Sequence, residues 1–150
     1  MGKRRVVTVL LFVAFAVGVY RTCRVQQHRP SASTGYAIPI FELQGAAHIS
    51  PWSGREVVDV RGVVTAAFDK GFYLQDPKGD GDPRTSDAIF VFTSTSSAVE
   101  SGDLVTVSGR VTEYTPGPRE AWNLSLTEIV RPRVEVLERR HALPPPVRIG

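Results

Sequence analysis

The sequence predicts an all-β fold, a small five- to six-stranded barrel of the OB type preceded by an N-terminal hydrophobic segment. Three observations carry that expectation. The pattern Val-x-Val-x-Gly-x-Val occurs twice, as Val58, Val60, Gly62, Val64 and as Val105, Val107, Gly109, Val111. Asp59 and Arg61 alternate with the first copy, and Thr106, Ser108 and Arg110 with the second. A period of two belongs to a strand with one buried and one wet face. Glycine weakens a strand interior unless the strand bends or bulges there. Two long strands with glycine at the same phase suit a small, strongly coiled sheet that closes on itself. The third observation is composition: 13 Gly and 11 Pro in 150 residues, with 42% hydrophobic residues, suit a turn-rich β domain.

Taken in chain order, the elements begin with Lys3-Arg4-Arg5 and the apolar run Val6–Tyr20. Fifteen apolar residues behind a basic cluster resemble a signal-peptide core more than a full span, which needs about 20. No small-x-small cleavage site follows at the right place, and Arg21 comes at once. Residues 1–23 are therefore either a cleaved signal or an uncleaved membrane anchor through residues 6–20. Both readings export the domain, secreted in one case and membrane-anchored facing outside in the other. Residues 24–37 form a polar linker containing Pro30 and Ser31-Ala32-Ser33-Thr34-Gly35. The OB-type domain spans 38–141.

Within it, Ile40–Ser50 leads in as a short strand or a turn of helix. The first strand covers about Glu56–Ala67, and the second covers Gly71–Asp76, with Phe72 and Leu74 on one face and Tyr73 on the other. Pro77–Asp87 is a long loop before the third strand, Ala88–Thr93. Ser94–Asp103 lies where such barrels often carry a helix, but it is short and Ser-rich, so one turn or none is expected. The fourth strand is Leu104–Tyr114. After a Pro-Gly loop the fifth is about Trp122–Ile129, with Val134–Leu137 as its continuation or a sixth strand. Residues 142–150, with Pro144-Pro145-Pro146, form an extended proline-rich tail.

Charge narrows the function. Six of the 18 Lys and Arg precede Gly35, and none of the 15 Asp and Glu does. From Gly35 onward there are 12 basic against 15 acidic residues, a net of −3. The domain has no general cationic field for nucleic acid, so any such site is local. The only cysteine is Cys23, which excludes an intrachain disulfide.

OB barrels bind across the second and third strands, between the loops joining strands one to two and four to five. Those places offer Arg61, Lys70, Tyr73, Arg110, Tyr114, Arg119 and Trp122. Aromatic rings beside cations suit single-stranded nucleic acid, with stacking for bases and charge for phosphates. The same residues also fit a structural Tyr73 and Trp122 with solvated arginines. A second cluster is the acidic loop, with Asp76, Asp80, Asp82 and, beyond it, Asp87. These are candidate calcium ligands, but Lys78 and the missing bidentate Glu break the EF-hand spacing. Asx turns in a solvated loop are the favoured reading, and no cofactor is expected. His28, His48 and His141 have no metal-ligand spacing, and no nucleophile elbow or P-loop occurs. No enzyme is expected in this chain.

The stretches Phe41–Pro51, Val60–Ala66, Gly71–Pro77, Gly79–Asp82 and Thr85–Phe92 together resemble the OB-like module that precedes the catalytic domain of bacterial extracellular nucleases. Those nucleases belong to the endonuclease/exonuclease/phosphatase superfamily. The resemblance covers about residues 38–150. It implies a module that helps hold nucleic acid for a metal-dependent domain. The Glu, Asp, Asn and His residues of that catalytic domain have no counterpart here, so no catalytic residue carries over. The chain is then either a stand-alone module or the leading piece of a longer nuclease. A structural or protein-docking module of the cell envelope is the alternative, motivated by the net negative domain.

Overall fold

A computed structural model describes residues 37–118 and 122–146. The hydrophobic segment, the linker as far as Tyr36, candidate residue Arg119 and the last four residues of the tail lie outside the described residues. The strands are β1 (Glu56–Phe68), β2 (Gly71–Gln75), β3 (Ala88–Phe92), β4 (Leu104–Tyr114) and β5 (Leu126–Glu138), and α1 (Ile40–Gln44) precedes them. They form one sheet in the order β1-β2-β3-β5-β4, and β4 pairs back onto β1 to close the ring. Only β3 and β5 run parallel.

Strand β4 follows the sequence pattern without a break. Val105, Val107 and Val111 are fully buried, while Thr106, Ser108 and Arg110 are not. Strand β1 departs from it at one end. Its pairing with β4 shifts between Val57 and Val60, where Asp59 takes a φ of 54°. Aspartate tolerates that left-handed conformation better than most residues. The extra residue of the bulge puts Val57 in the core and turns Val58 outward, 56% exposed. Val58 therefore does not share the buried face with Val60 and Val64, as the repeat alone would suggest.

The two repeat glycines lie where neighbouring strands cross closely. A Cβ on Gly62 would stand 2.7 Å from the Leu74 side chain and 2.9 Å from the Gln75 carbonyl oxygen. One on Gly109 would stand 2.7 Å from Ile129 and 2.8 Å from the Val130 oxygen. Their role is the absence of a side chain at a tight approach.

The fifth strand starts at Leu126 and not at Trp122, and it runs unbroken through Val134–Leu137 to Glu138, so that stretch is its continuation and the sheet has five strands among the described residues. Pro132 explains why the sequence reads as broken there. It falls in the gap between the pairs Arg110↔Val130 and Ser108↔Arg133, so its missing N–H breaks no ladder bond.

Residues 94–103 form no helix, and only Val99 of that segment joins the buried core. Helix α1 supplies core residues instead. Ile40 and Leu43 are fully buried against the ring interior with Val57, Phe72, Leu74 and Ile89. Gln44 Nε2 ties the helix to β3 by donating to the Ala88 oxygen at 2.6 Å. Glu113, at the end of β4, ties the segment after α1 to the sheet. Its carboxylate accepts from the Ser50 N–H at 2.9 Å, the Thr127 hydroxyl at 2.9 Å and the Ser125 hydroxyl at 2.8 Å. The buried Asp103 carboxylate accepts from Arg139 Nη1 at 2.6 Å and from the Glu100 N–H at 2.9 Å, fixing the segment before β4 to the end of β5.

Candidate functional site

The alternation that buries Phe72 and Leu74 on β2, and Ile89 and Val91 on β3, turns Tyr73, Phe90 and Phe92 outward. Tyr73 pairs across the ladder with Phe90, and their rings meet edge-on at 5.1 Å between centroids. On its other side Tyr73 meets Phe68, at the end of β1, at 6.1 Å and 82°. Phe68, Tyr73 and Phe90 thus form a row across three strands, with Phe68 55% and Tyr73 38% exposed. Exposed aromatic rings in a row are uncommon on a small domain unless something covers them.

The row continues past β3 into a cavity of about 460 Å³, lined by Lys70, Phe90, Phe92, Tyr114, Leu126 and Glu128. Lys70 comes from the β1–β2 turn, Tyr114 from the end of β4, and Leu126 and Glu128 from the start of β5. Glu128 is the unusual member. Its neighbour Ile129 points into the core, and Glu128 pairs with Phe90 and Thr112 on the opposite face of the sheet. An acid on the outer face is normally solvated, yet Glu128 is only 7% exposed. It has no hydrogen-bond or ion-pair partner among the described residues. Burial raises its carboxyl pKa above the ordinary range, because removal from water penalises the charged form.

That shift has a stability consequence with a definite sign. Between the ordinary carboxyl pKa and the raised one, the native state holds more protons than the unfolded state. Stability therefore falls as pH rises through that window and carries the full penalty above it. Lys70 and Tyr114 are the other titratable groups lining the cavity, while β3 presents only Phe90 and Phe92. Glu128→Gln removes the ionisation. The variant is expected to be more stable than the wild type at pH 7, with the gain disappearing once pH falls below the ordinary carboxyl pKa. Urea melts at pH 7 and below that pKa measure it, and an equal difference at both would assign the effect to packing instead.

The structure brings Lys70, Tyr73 and Tyr114 to this face. Trp122 stands on the loop between β4 and β5, 95% exposed with a φ of 54°. Arg61 and Arg110 do not join them. Arg61 pairs with Thr106 on the part of β1 that faces β4, five residues before Ala66, the partner of Tyr73. Five residues of strand span about 17 Å. Arg110, on β4, lies opposite the start of β1, 3.8 Å from the Glu56 carboxylate, which Arg131 also approaches at 3.6 Å. Glu128 and the phenylalanines were not legible as site residues. Glu128 reads as an ordinary outward strand acid, and Phe90 and Phe92 read as hydrophobic filler.

In the acidic loop the four carboxylates serve the loop itself. Asp76 accepts from the backbone N–H groups of Lys78 and Gly79 at 2.9 and 3.3 Å. Asp80 accepts from the N–H of Asp82 at 2.9 Å, and Asp87 from that of Asp80 at 3.2 Å. Asp82 pairs with Arg84 at 2.7 Å, and this guanidinium holds the Asp82 carboxyl below its usual range. Among the described residues no three His, Cys, Asp or Glu side chains converge so as to hold a metal ion. No helix of the described residues is long and apolar enough to cross a membrane, and the apolar run 6–20 lies outside them.

The chain matches no protein-family model, no curated protein and no solved structure.

Proposed function

We propose that residues 38–141 are an OB-type barrel that binds single-stranded nucleic acid on the β2–β3 face. In this reading the chain is an exported, non-catalytic module working beside a nuclease. The strand order, with one long strand shared between β2 and β4 and a parallel β3–β5 pair, supports the OB assignment. The observation that carries the binding reading is the row Phe68–Tyr73–Phe90, lying between the β1–β2 turn and the β4–β5 loop where OB barrels hold their ligands. Rings at that place stack bases regardless of sequence. Lys70 beside them offers a phosphate contact. A protein-docking face is the second reading, favoured by the exposed Tyr114 and Leu126 that extend the apolar surface.

The test is fluorescence anisotropy of a labelled dT oligonucleotide titrated with the full chain in a mild detergent. With Lys70 the one cation lining the cavity among the described residues, binding should be dominated by stacking and depend only shallowly on salt. A slope of log K against log salt near −1 is expected, since each phosphate contact on a single strand contributes about −0.7. Arg110→Ala should leave the affinity within about twofold. A slope steeper than about −3 would move the ligand to a cationic surface elsewhere, and no binding at low or moderate salt would favour the protein-docking reading.

A further inference from the structure

We infer that the cavity beside the aromatic row is a base-recognition pocket that selects guanine through the Glu128 carboxylate. This inference rests on the nucleic-acid reading above and goes beyond it, because stacking on the row would tolerate any base. The cavity of about 460 Å³ falls within the usual range of small-ligand sites, roughly 300–1,000 Å³. Phe90, Phe92 and Tyr114 give it aromatic walls, and Lys70 gives it one cation. Glu128 supplies the one carboxylate lining it among the described residues.

The chemistry of that carboxylate determines what fits. An ionised carboxylate only accepts hydrogen bonds, and its two oxygens lie side by side in one plane. Glu128 is 7% exposed and has no partner among the described residues, so its acceptors are unmet by the protein. Ser97 Oγ is the one fully buried side-chain polar atom without a partner among the described residues, so the Glu128 oxygens keep some solvent contact and are open to a ligand at the aromatic cavity. The complementary ligand is flat enough to lie between aromatic walls and carries two adjacent N–H donors on one edge. Guanine offers such an edge, with its ring N1–H next to the exocyclic N2 amino group. Adenine and cytosine place a bare ring nitrogen beside their amino group, and its lone pair would face the second oxygen. Thymine flanks a single N–H with two carbonyls. The phosphate that follows the base would find Lys70. A guanidinium side chain of a peptide also has paired donors, but it carries a positive charge towards Lys70 and brings no phosphate to it.

The experiment uses the full 150-residue chain in mild detergent and labelled dT octamers that carry one central G, hypoxanthine, A or C. The G-containing strand should bind about tenfold more tightly than those with A, C or T, the discrimination expected of one good bidentate contact. Hypoxanthine, which keeps N1–H and lacks the amino group, should fall between. In Glu128→Gln the preference for G should shrink to about twofold or less, with thermal melting confirming that the variant is folded. Should that variant fail to fold, the wild-type ranking of bases still decides. Equal affinity for all the strands would overturn the pocket assignment and leave the stacking row intact. Absence of binding to every strand would overturn both readings. Displacement of the G strand by arginine amide but not by guanosine monophosphate would overturn the inference in favour of a peptide ligand.

Discussion

Alanine at position 71 is expected to destabilise the fold by about 3 kcal/mol, the upper part of the range for overpacking a close-packed site. A Cβ built on Gly71 would press into the carbonyl oxygen of Val91 and the ring of Phe90. The ring could turn aside, but the carbonyl belongs to the backbone of β3, which is held by β2 on one side and β5 on the other. Relief therefore requires the strands to move apart where Gly71 pairs with Phe92. Gly109→Ala should cost somewhat less, about 2 kcal/mol, because the bulge in β5 opposite leaves that strand freer to yield. Gly81 is the control. No atom lies within 4 Å of its Cβ position, so alanine there pays only for a φ of 72°, about 1 kcal/mol. Urea midpoints of the three variants test the ranking. A Gly71→Ala protein as stable as the wild type would mean that β2 and β3 do not approach as closely as the geometry requires.

The same position links fold to site, because Phe90 is one of the rings a Cβ at Gly71 would displace. That link could not be seen in the sequence. The strands were legible because valine alternation is strong in β4 and in most of β1, and the glycines marked where the sheet coils. What misled was local. The bulge at Asp59 shifts the parity of β1, so the first repeat keeps its spacing but loses Val58 from the core. Pro132 left open whether Val134–Leu137 continued the fifth strand, and the bulge there lets it do so. The candidate face was legible where an aromatic or a cation sat in an expected loop or strand, as with Lys70, Tyr73 and Tyr114. It was not legible where burial depends on contacts far apart in the chain. Glu128 is 7% exposed and shares its cavity with residues from β3, β4 and the β1–β2 turn, and no property of residue 128 alone predicts that. Arg61 and Arg110 carried the right charge, but the register sets them against β4 and Glu56, away from the row.

Tyr73→Ala is expected to weaken binding of a dT oligonucleotide by roughly ten- to a hundredfold, since removing one stacking ring loses about 1–3 kcal/mol. Tyr73 is the middle ring of the row, in edge contact with Phe68 on one side and Phe90 on the other. Its loss removes a platform and also the neighbour that orients the two remaining rings. Because the ring is 38% exposed and packs on the outer face, the stability loss should stay near 1 kcal/mol, in line with one or two edge-on aromatic contacts. Binding and folding are thereby separable in one variant. Tyr73→Phe keeps the ring and should bind within about twofold of the wild type, which distinguishes stacking from a hydrogen bond made by the hydroxyl. Lys70→Ala should lower affinity only a few-fold and flatten the salt dependence, because it removes one phosphate contact and no stacking surface. Wild-type affinity in Tyr73→Ala, with the fold intact, would detach the ligand from the aromatic row. An unchanged Tyr73→Phe beside a crippled Tyr73→Ala would fix the contact as ring on base, with the charge of the domain playing a minor part.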